Sequence, residues 1–276
     1  MVYNDMTATV ERFYQEPGLP FARVRYTTSS TAVFKPHMHT SFSVGAVDTG
    51  KVRYTVGAET ATLAPGSLAL INPETLHSCN PLSRTGRSYY MLYLDVDWCL
   101  RLQQSLWSIA EFCPVELIRI SDGPLYERYR HTMQQLLSNS IHRDHKEQLL
   151  IELMTELFAL ACSPHAEPSR SADSIELLKK LLKSDLSKDY TLDSLASQLA
   201  TNPYTLLRKF KAETGLTPHA YRMNCRIEQA KLLLQQGREI ADTAVECGFF
   251  DQSHLHRQFK AMTTVTPQEY KVNFVQ

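Results

Sequence analysis

The sequence predicts a two-domain α+β protein, with an N-terminal β-barrel followed by helices and a C-terminal all-α domain of two helix-turn-helix units. Three observations predict this fold class. A block with helical periodicity is duplicated within about the last hundred residues. Evenly spaced short strand patterns occupy residues 21–96, and a stretch rich in proline and small polar residues separates the two regions near residues 163–173.

Length and composition agree with two folded domains. The chain has 276 residues, with 43% hydrophobic and 21% charged residues, which argues against a disordered, collagen-like or membrane class. The N-terminal segment has acidic residues where a secretory signal has basic and then apolar ones, and Glu152 and Glu156 interrupt the most apolar stretch, 149–162. The six cysteines are single, without a C-x-x-C pair, which is typical of reduced thiols. We therefore expect a cytoplasmic protein with no membrane segment.

The repeat is found by shifting the chain by 49 residues. Residues 208–221 then align with residues 257–270, and eight of the fourteen positions are identical. The same shift pairs Asp193 with Asp242 and Asn202 with Asp251. Two copies of one supersecondary unit explain this pattern.

Each copy has the pattern of a helix, a turn and a second helix. In the first copy a helix is predicted over 191–199, and Asn202 followed by Pro203 predicts the start of a second helix that ends at Gly215. In the second copy apolar residues from Ile240 to Val245 predict the first helix, and Asp251 caps the second. Each second helix has an apolar pair four residues apart that we expect to be buried. These pairs are Leu206 with Phe210, and Leu255 with Phe259.

A longer helix is predicted between the copies, from Pro218 to Gln236. Its length of about 28 Å is close to the roughly 34 Å between successive major grooves on one face of B-DNA. The second helices of the two copies could therefore enter adjacent major grooves.

The second copy contains the most specific motif of the chain. It consists of Ile240, Ala244, Gly248-Phe249, the segment 253–260, Thr266-Pro267 and Tyr270. This motif resembles the signature of the AraC/XylS family of transcription regulators, and the resemblance extends over about 174–270. It implies a DNA-binding domain of two helix-turn-helix units joined by a long helix. Thr264 stands where the family commonly has glycine, so we expect a different shape at the end of that helix.

The solvent-facing residues of the two second helices are the candidate DNA contacts. Arg208 and Arg257 are the strongest, because arginine can donate two hydrogen bonds to guanine and discriminate by about 1–3 kcal/mol. The resemblance also places base-reading residues at Tyr204 and Gln252. Lys209, Lys211 and Lys260 are expected at phosphates, and Leu207 either contacts a thymine methyl or completes the core. The predicted DNA-binding residues are Tyr204, Thr205, Leu207, Arg208, Lys211, Gln252, Ser253, His256, Arg257 and Lys260.

The charge distribution leaves a second interpretation open. The net charge of the chain is zero, and from Tyr190 onward ten Lys or Arg residues accompany eight Asp or Glu residues. An isolated basic run usually solvates a helix surface without binding anything. The duplication of the pattern favours DNA binding over this alternative.

The N-terminal domain is predicted to end in helices over 97–110, 122–139 and 144–162. The last two are amphipathic, and their apolar stripes could pack within one molecule or against a partner helix. The family resemblance favours a homodimer. We expect an effector-sensing and dimerisation domain over 1–164, a linker over 165–173 and the DNA-binding domain over 174–276.

Strands are predicted over 21–26, 43–47, 52–56, 67–71 and 89–96, a spacing typical of a barrel or sandwich. Residues spaced through this region resemble the cupin-like sensor domain found in many family members. They are Pro36, His37, His39, Gly50, Leu63, Pro65, Gly66, Ser67, Leu68, Asn72, Pro73 and His77.

Three histidines are the candidate effector site. His37 and His39 would point to the same face of a strand, and His77 could supply a third nitrogen. Metallocupins usually add a glutamate shortly after the paired histidines, and residues 40–45 contain none. Three roles stay open: a divalent metal such as zinc or ferrous iron, with Cys79 as a softer possible ligand, hydrogen bonding to an organic effector, or structure alone.

The resemblance implies a sequence-specific DNA-binding regulator, controlled by a small-molecule or metal effector. Its implied partners are double-stranded DNA, the effector, RNA polymerase and a second copy of the chain. The alternative is a three-histidine metallocupin enzyme, similar to an iron oxygenase, fused to a DNA-binding domain. No acid/base pair or nucleophile constellation accompanies the histidines, so we expect no enzyme activity.

Overall fold

A computed structural model of the chain describes residues 9–83, 86–164 and 173–274. Contacts divide the chain into two compact units. The first contains Met1–Val33 and His39–His165, and the second contains Phe34–Met38 and Ala166–Gln276. The predicted linker lies outside the described residues except for Asp173.

The described part of the first unit contains two antiparallel sheets. One sheet has six strands in the order β1-β2-β8-β3-β6-β9, and the other has three in the order β5-β4-β7. The strands are β1 (Val10–Tyr14), β2 (Ala22–Ser30), β3 (Phe42–Thr49), β4 (Val52–Val56), β5 (Glu59–Leu63), β6 (Leu68–Ile71), β7 (His77–Pro81), β8 (Arg87–Leu94) and β9 (Arg119–Ile120).

The first unit is β-rich and ends in helices, as predicted, but the sheets formed by its described residues do not close into a barrel. The larger sheet ends at β1 and β9 and the smaller at β5 and β7, and no strand pairing joins the sheets within the described residues. The five predicted strands are present as β2, β3, β4, β6 and β8, with ends shifted by a few residues. Strands β1, β5, β7 and β9 were not predicted, because their short, mixed sequences lack a clear apolar alternation.

Strand β3, inside the larger sheet, is buried on both faces. Alternate residues of β3 (Phe42, Val44, Ala46) pack in a core shared with the helices of this unit. Val47 belongs instead to a smaller cluster with Tyr54 and other residues of the second sheet. The pleat of the strand therefore directs one set of side chains toward the helices and the other toward the space between the sheets.

Three helices complete the first unit: α1 (Val96–Leu106), α2 (Gly123–Leu136) and α3 (Arg143–Ala161). Helix α2 begins at Asp122, whose side chain accepts a hydrogen bond from the Leu125 amide at 2.8 Å. The predicted apolar stripe of α3, including Leu150, Leu153 and Leu157, is buried in the core of the unit. Ile151 and Leu160 of the same helix are exposed.

In the second unit, the described residues 173–274 form helices and their connecting turns. Helices α5 and α6 form one helix-turn-helix unit, helices α8 and α9 form another, and α7 connects them, as predicted. The helices are α4 (Asp173–Ser184), α5 (Leu192–Gln198), α6 (Pro203–Thr214), α7 (Pro218–Gln235), α8 (Ile240–Glu246), α9 (Gln252–Thr263) and α10 (Pro267–Phe274). Across both units, none of the helices in the described ranges combines the length and the apolar character needed to cross a bilayer.

Candidate nucleic-acid interface and histidine cluster

Helix α6 starts as its sequence predicts. The Asn202 side chain accepts a hydrogen bond from the Tyr204 amide at 2.9 Å, and Pro203 occupies the first turn. Leu206 and Phe210 are buried, so the opposite side of the helix faces solvent. Tyr204 lies on that side with 81% of its surface exposed.

Helix α9 has the same design. The Asp251 carboxylate accepts a hydrogen bond from the His254 amide at 2.6 Å, and Leu255 and Phe259 are buried. Both helices therefore present to solvent the side on which the DNA contacts were predicted. The exposed predicted residues are Tyr204, Arg208, Lys211, Gln252, Ser253, His256, Arg257 and Lys260, and the half-buried ones are Thr205 and Leu207.

The interior of the two units is duplicated in detail. Phe210 and Tyr221 meet edge to face with ring centroids 5.3 Å apart, and Phe259 and Tyr270 do the same at 5.3 Å. The hydroxyl of Thr263 donates to the Phe259 carbonyl at 2.7 Å, as that of Thr214 does to the Phe210 carbonyl. These contacts hold the second helix of each unit against the helix that follows it.

The repeat register found in the sequence fails upstream of the second helices. The amide of Thr201 donates to Ala196, and the equivalent bond in the second unit runs from Phe249 to Ala244, a shift of 48 rather than 49. The pairing of Asp193 with Asp242 is therefore wrong. The second unit contains one extra residue between its helices, which the matching helix ends identify as Phe250.

The expected change of shape at Thr264 is also wrong. Thr264 caps α9 with φ 71° and ψ −9°, and Gly215 caps α6 with φ 73° and ψ −8°. Both residues thus take the left-handed conformation that ends a helix. A β-branched residue is strained there, and the surrounding contacts impose the conformation on it.

Two arginines of α7, Arg222 and Arg226, are buried and were not predicted. Arg226 lies where the second helix-turn-helix unit packs on the loop after α4. Arg226 donates to the Leu186 carbonyl at 2.9 Å and to the Asp189 carboxylate at 2.9 Å. A Cβ atom on Gly248 would lie 2.2 Å from the Leu186 carbonyl oxygen, so the turn before α9 packs directly on this loop. A charge inside an apolar helical pattern was the available signal.

His39 and His77 are buried and lie together in the first unit, with ring centroids 4.9 Å apart. His37 is also buried, in the segment Phe34–Met38 that belongs to the second unit. The prediction that His37 and His39 lie on a regular strand is wrong, because both are in an irregular segment before β3. His77 is the first residue of β7. The Glu74 amide donates to the His39 carbonyl at 2.6 Å, which fixes the loop before β7 beside that segment.

Backbone contacts orient two of the imidazole rings. The Nδ1 atom of His37 lies 2.7 Å from the Lys35 carbonyl oxygen, and Nδ1 of His77 lies 2.9 Å from that of Thr75. A proton on Nδ1 suits these contacts and leaves Nε2 as the ligand atom, which is the arrangement common at metal-binding histidines. Cys79 is not part of the cluster, and burial raises the pKa of its thiol to about 11.

A group of polar residues beside the cluster was not predicted. It lies on the side of the larger sheet that faces away from the helices. His39 meets Tyr93 edge to face at 5.3 Å, and burial raises the pKa of Tyr93 to about 12. Arg25 donates to the Glu11 carboxylate at 2.7 Å, and the hydroxyl of Tyr89 is buried without a hydrogen-bond partner in the described chain. Polar residues at alternate positions of β2 and β8 were the signal for this face.

A β-rich unit and a unit with two helix-turn-helix motifs define the class of two-domain, DNA-binding transcription regulators. Comparison with known families agrees. Residues 22–161, about half of the chain, match the profile of the AraC-like ligand binding domain, and residues 195–273 match that of a helix-turn-helix domain. The chain belongs to the AraC family of transcription regulators, with a DNA-binding and a ligand-binding domain.

Individual relatives fit this assignment. The chain is 28% identical over 237 residues to the uncharacterized HTH-type transcriptional regulator YbfI of Bacillus subtilis, covering 80% of this chain and 81% of YbfI. It is 28% identical over 127 residues to the transcriptional activator RhaS of Escherichia coli, covering 46% of this chain and 45% of RhaS.

Solved structures of ToxT from Vibrio cholerae have a similar fold. An apo ToxT variant superposes with a TM-score of 0.62 at 15% identity, covering 96% of this chain and 97% of that chain. A ToxT structure with a bound unsaturated fatty acid superposes with a TM-score of 0.62 at 14% identity, covering 97% of this chain and 96% of that chain.

Proposed function

We propose that this regulator recognises a specific DNA sequence through the exposed sides of α6 and α9. The observation that carries the proposal is the duplication of the second helix. In each copy an apolar pair is buried and an arginine on the other side of the helix, Arg208 or Arg257, is exposed. Helix α7 has 18 residues, so it spans about 27 Å between the two units. This length suits entry into successive major grooves.

The experiment that tests this proposal begins with the recovery of preferred duplexes from random DNA by the purified full-length protein. Arg257→Ala should lower affinity for the recovered duplex by about ten-fold or more and hardly change affinity for random DNA. Lys260→Ala should weaken binding to both and reduce the salt dependence by about one released counterion. Equal loss on both duplexes for Arg257→Ala would contradict base reading by that arginine.

We also propose that His37, His39 and His77 bind the effector that controls DNA binding. The burial of all three histidines, the distance of 4.9 Å between the ring centroids of His39 and His77 in the first unit, and the oriented rings support this proposal. An organic effector held by hydrogen bonds is favoured over a resident metal of the cupin type, because residues 40–45 contain no glutamate to complete the metallocupin ligand set. Control by any effector requires different affinities for two states of the protein.

The two effector chemistries can be separated by titration. If a metal is the ligand, zinc added to the metal-free protein should bind at one equivalent, and His39→Ala should abolish this binding. If the effector is organic, the wild-type protein should show no stoichiometric zinc site, and selection of DNA in the presence of metabolite pools should change with the pool. His39→Ala should then remove that response while DNA binding persists.

We propose that the first unit senses and does not catalyse, and that the protein acts in the cytoplasm as a homodimer in contact with RNA polymerase. The relatives are transcription regulators, and Leu160 near the end of α3 is an exposed apolar residue that a second copy could cover. Sedimentation should detect a dimer that Leu160→Asp weakens. Oxygen uptake by the iron-loaded protein that is lost in His39→Ala would instead support the enzyme alternative.

A further inference from the structure

The second helix-turn-helix unit carries one residue that the first does not. Five residues, 247–251, separate α8 from α9, and four residues, 199–202, separate α5 from α6. Thr201 and Phe249 are equivalent, because the amide of each donates to the equivalent carbonyl of the preceding helix. Asn202 and Asp251 are also equivalent, because each caps the second helix of its unit. Phe250 is the additional residue.

Phe250 contributes little to the core. Its neighbour Phe249 is buried, whereas 92% of the surface of Phe250 is exposed, the highest value among the exposed large apolar residues of the described chain. Its amide lies 3.4 Å from Nδ1 of His254, so the backbone is tied to the first turn of α9 while the ring extends into solvent. Burial in this fold does not account for an aromatic side chain at this position.

The helix that follows Phe250 has a polar and basic row. Ser253, Arg257 and Lys260 lie at spacings of four and three residues along one side of α9, and all are exposed; Phe250 precedes the helix by two residues. His256 and Gln252 are exposed beside this row. Two cationic side chains on the same helix side are complementary to the phosphate backbone of DNA and disfavour a basic or purely apolar partner.

We propose that Phe250 is a DNA-contacting residue, whose ring packs on the C5-methyl group of a thymine in the major groove. The N-terminal residues of the second helix of a helix-turn-helix unit contact base edges, and Phe250 directly precedes them. Thymine is the base that offers an apolar group in the major groove, and phenylalanine is among the side chains that contact it. The inserted residue would thus add a preference for thymine at one position of the site read by α9. This inference rests on the proposed function.

The test uses the full-length protein and the duplex that the wild-type protein selects from random DNA. Each thymine is replaced in turn by deoxyuridine, which keeps the base pair and removes only the methyl group. Loss of one buried methyl should weaken wild-type binding about four-fold at one position. Phe250→Ala should lose a similar factor on the unmodified duplex and should be insensitive to deoxyuridine at that position.

Two control variants accompany Phe250→Ala. Val245→Ala removes another exposed apolar side chain, at the end of α8, and should leave affinity unchanged. Arg257→Ala reports on the proposed function independently. Thermal unfolding by circular dichroism should be the same for Phe250→Ala and the wild-type protein, because the ring is exposed.

The outcomes are distinguishable. If Arg257→Ala loses cognate binding and Phe250→Ala does not, the inference about Phe250 fails and the proposed function stands. If Phe250→Ala binds DNA normally but no longer activates or represses a reporter gene, the ring contacts a protein partner and the inference also fails. Weaker DNA binding by Phe250→Ala without any deoxyuridine effect would overturn the thymine contact. Absence of any preferred duplex for the wild-type protein would overturn both proposals.

Discussion

The two helix-turn-helix units share their interior and differ at their turns. The edge-to-face ring pairs, the capping side chains and the left-handed helix ends recur at a constant spacing from α6 to α9. In the turns, Ala200 has φ 47° and its counterpart Gly248 has φ 73°, and only the second unit inserts a residue before its capping aspartate. The interior contacts thus tolerate a change in the length of the turn, because they begin beyond it.

The largest effect is expected from adding a side chain to the more crowded turn. In Gly248→Ala the new Cβ atom would lie 2.2 Å from the Leu186 carbonyl oxygen and 2.9 Å from Ser187 Cα, in a backbone conformation with positive φ. Backbone atoms cannot move aside as a flexible side chain can. We expect the free energy of unfolding of the second helix-turn-helix unit to fall by about 3 kcal/mol.

Hydrogen exchange of peptides from residues 185–260 is the appropriate measurement for this variant. Both tryptophans, Trp98 and Trp107, lie in the first unit, so their fluorescence would not report on the change. Ala200→Gly is the matched control and should shift stability by less than about 1 kcal/mol. Similar protection in Gly248→Ala and the wild-type protein would show that the turn can move off the loop.

The next effect concerns DNA binding by the two units. Arg208→Ala and Arg257→Ala should each cost about 2 kcal/mol on the selected duplex, and the double variant should cost the sum, because the arginines lie on separate helices. Fluorescence anisotropy with labelled duplex measures these affinities. Arg238→Ala removes an exposed arginine paired with Glu246 outside the reading helices and should have little effect. If only one of the two arginine variants lost affinity for the selected duplex, the two helix-turn-helix units would not contribute equally to DNA recognition.

A smaller effect is expected at the helix ends. Thr264→Gly should stabilise the second helix-turn-helix unit by about 1 kcal/mol, because glycine takes the observed φ of 71° without strain. The reciprocal change, Gly215→Thr, should destabilise the first helix-turn-helix unit by a similar amount. Urea unfolding followed by circular dichroism provides the comparison. A destabilised Thr264→Gly variant would indicate that the threonine side chain contributes more than its strain costs.

The smallest effect is expected at the start of α10. The Glu269 carboxylate accepts a hydrogen bond from the Thr266 amide at 2.6 Å, and the Glu269 amide donates to the Thr266 hydroxyl. At the equivalent position at the start of α7, the Ala220 amide donates to the Thr217 hydroxyl, but alanine has no carboxylate to form the other bond. The bond to the Thr266 amide lowers the pKa of Glu269 below 4.5. The folded form therefore favours the ionised carboxylate, and this stabilisation is present above pH 4.5 and is lost as the pH falls further.

Glu269→Ala tests this contribution. We expect a loss of about 0.5 kcal/mol near neutral pH and a smaller difference from the wild-type protein at acidic pH. Urea titrations at two pH values measure the difference. An effect that stays constant with pH would mean that the carboxylate charge is not responsible.

Several features of the DNA-binding half could be predicted because they depend on short-range rules. The caps at Asn202 and Asp251 and the buried pair in each second helix follow from residues within one or two turns of each other. The family resemblance came from a motif of the second copy that includes the buried pair Leu255 and Phe259. The mutual approach of His39 and His77 was also expected, although His39 lies outside a regular strand and the described sheets around it do not close into a barrel.

The sequence by itself determined the helices α5 to α9, the starts of α6 and α9, and the residues exposed on those two helices, since periodicity and capping act locally. Only the tertiary structure decided where the repeat changes register, which conformation Thr264 adopts and how Arg226 holds the loop beneath Gly248. Each of these depends on hydrogen bonds or steric contacts between residues that are distant in the chain or on a backbone angle imposed by neighbours, and neither leaves a periodic signal.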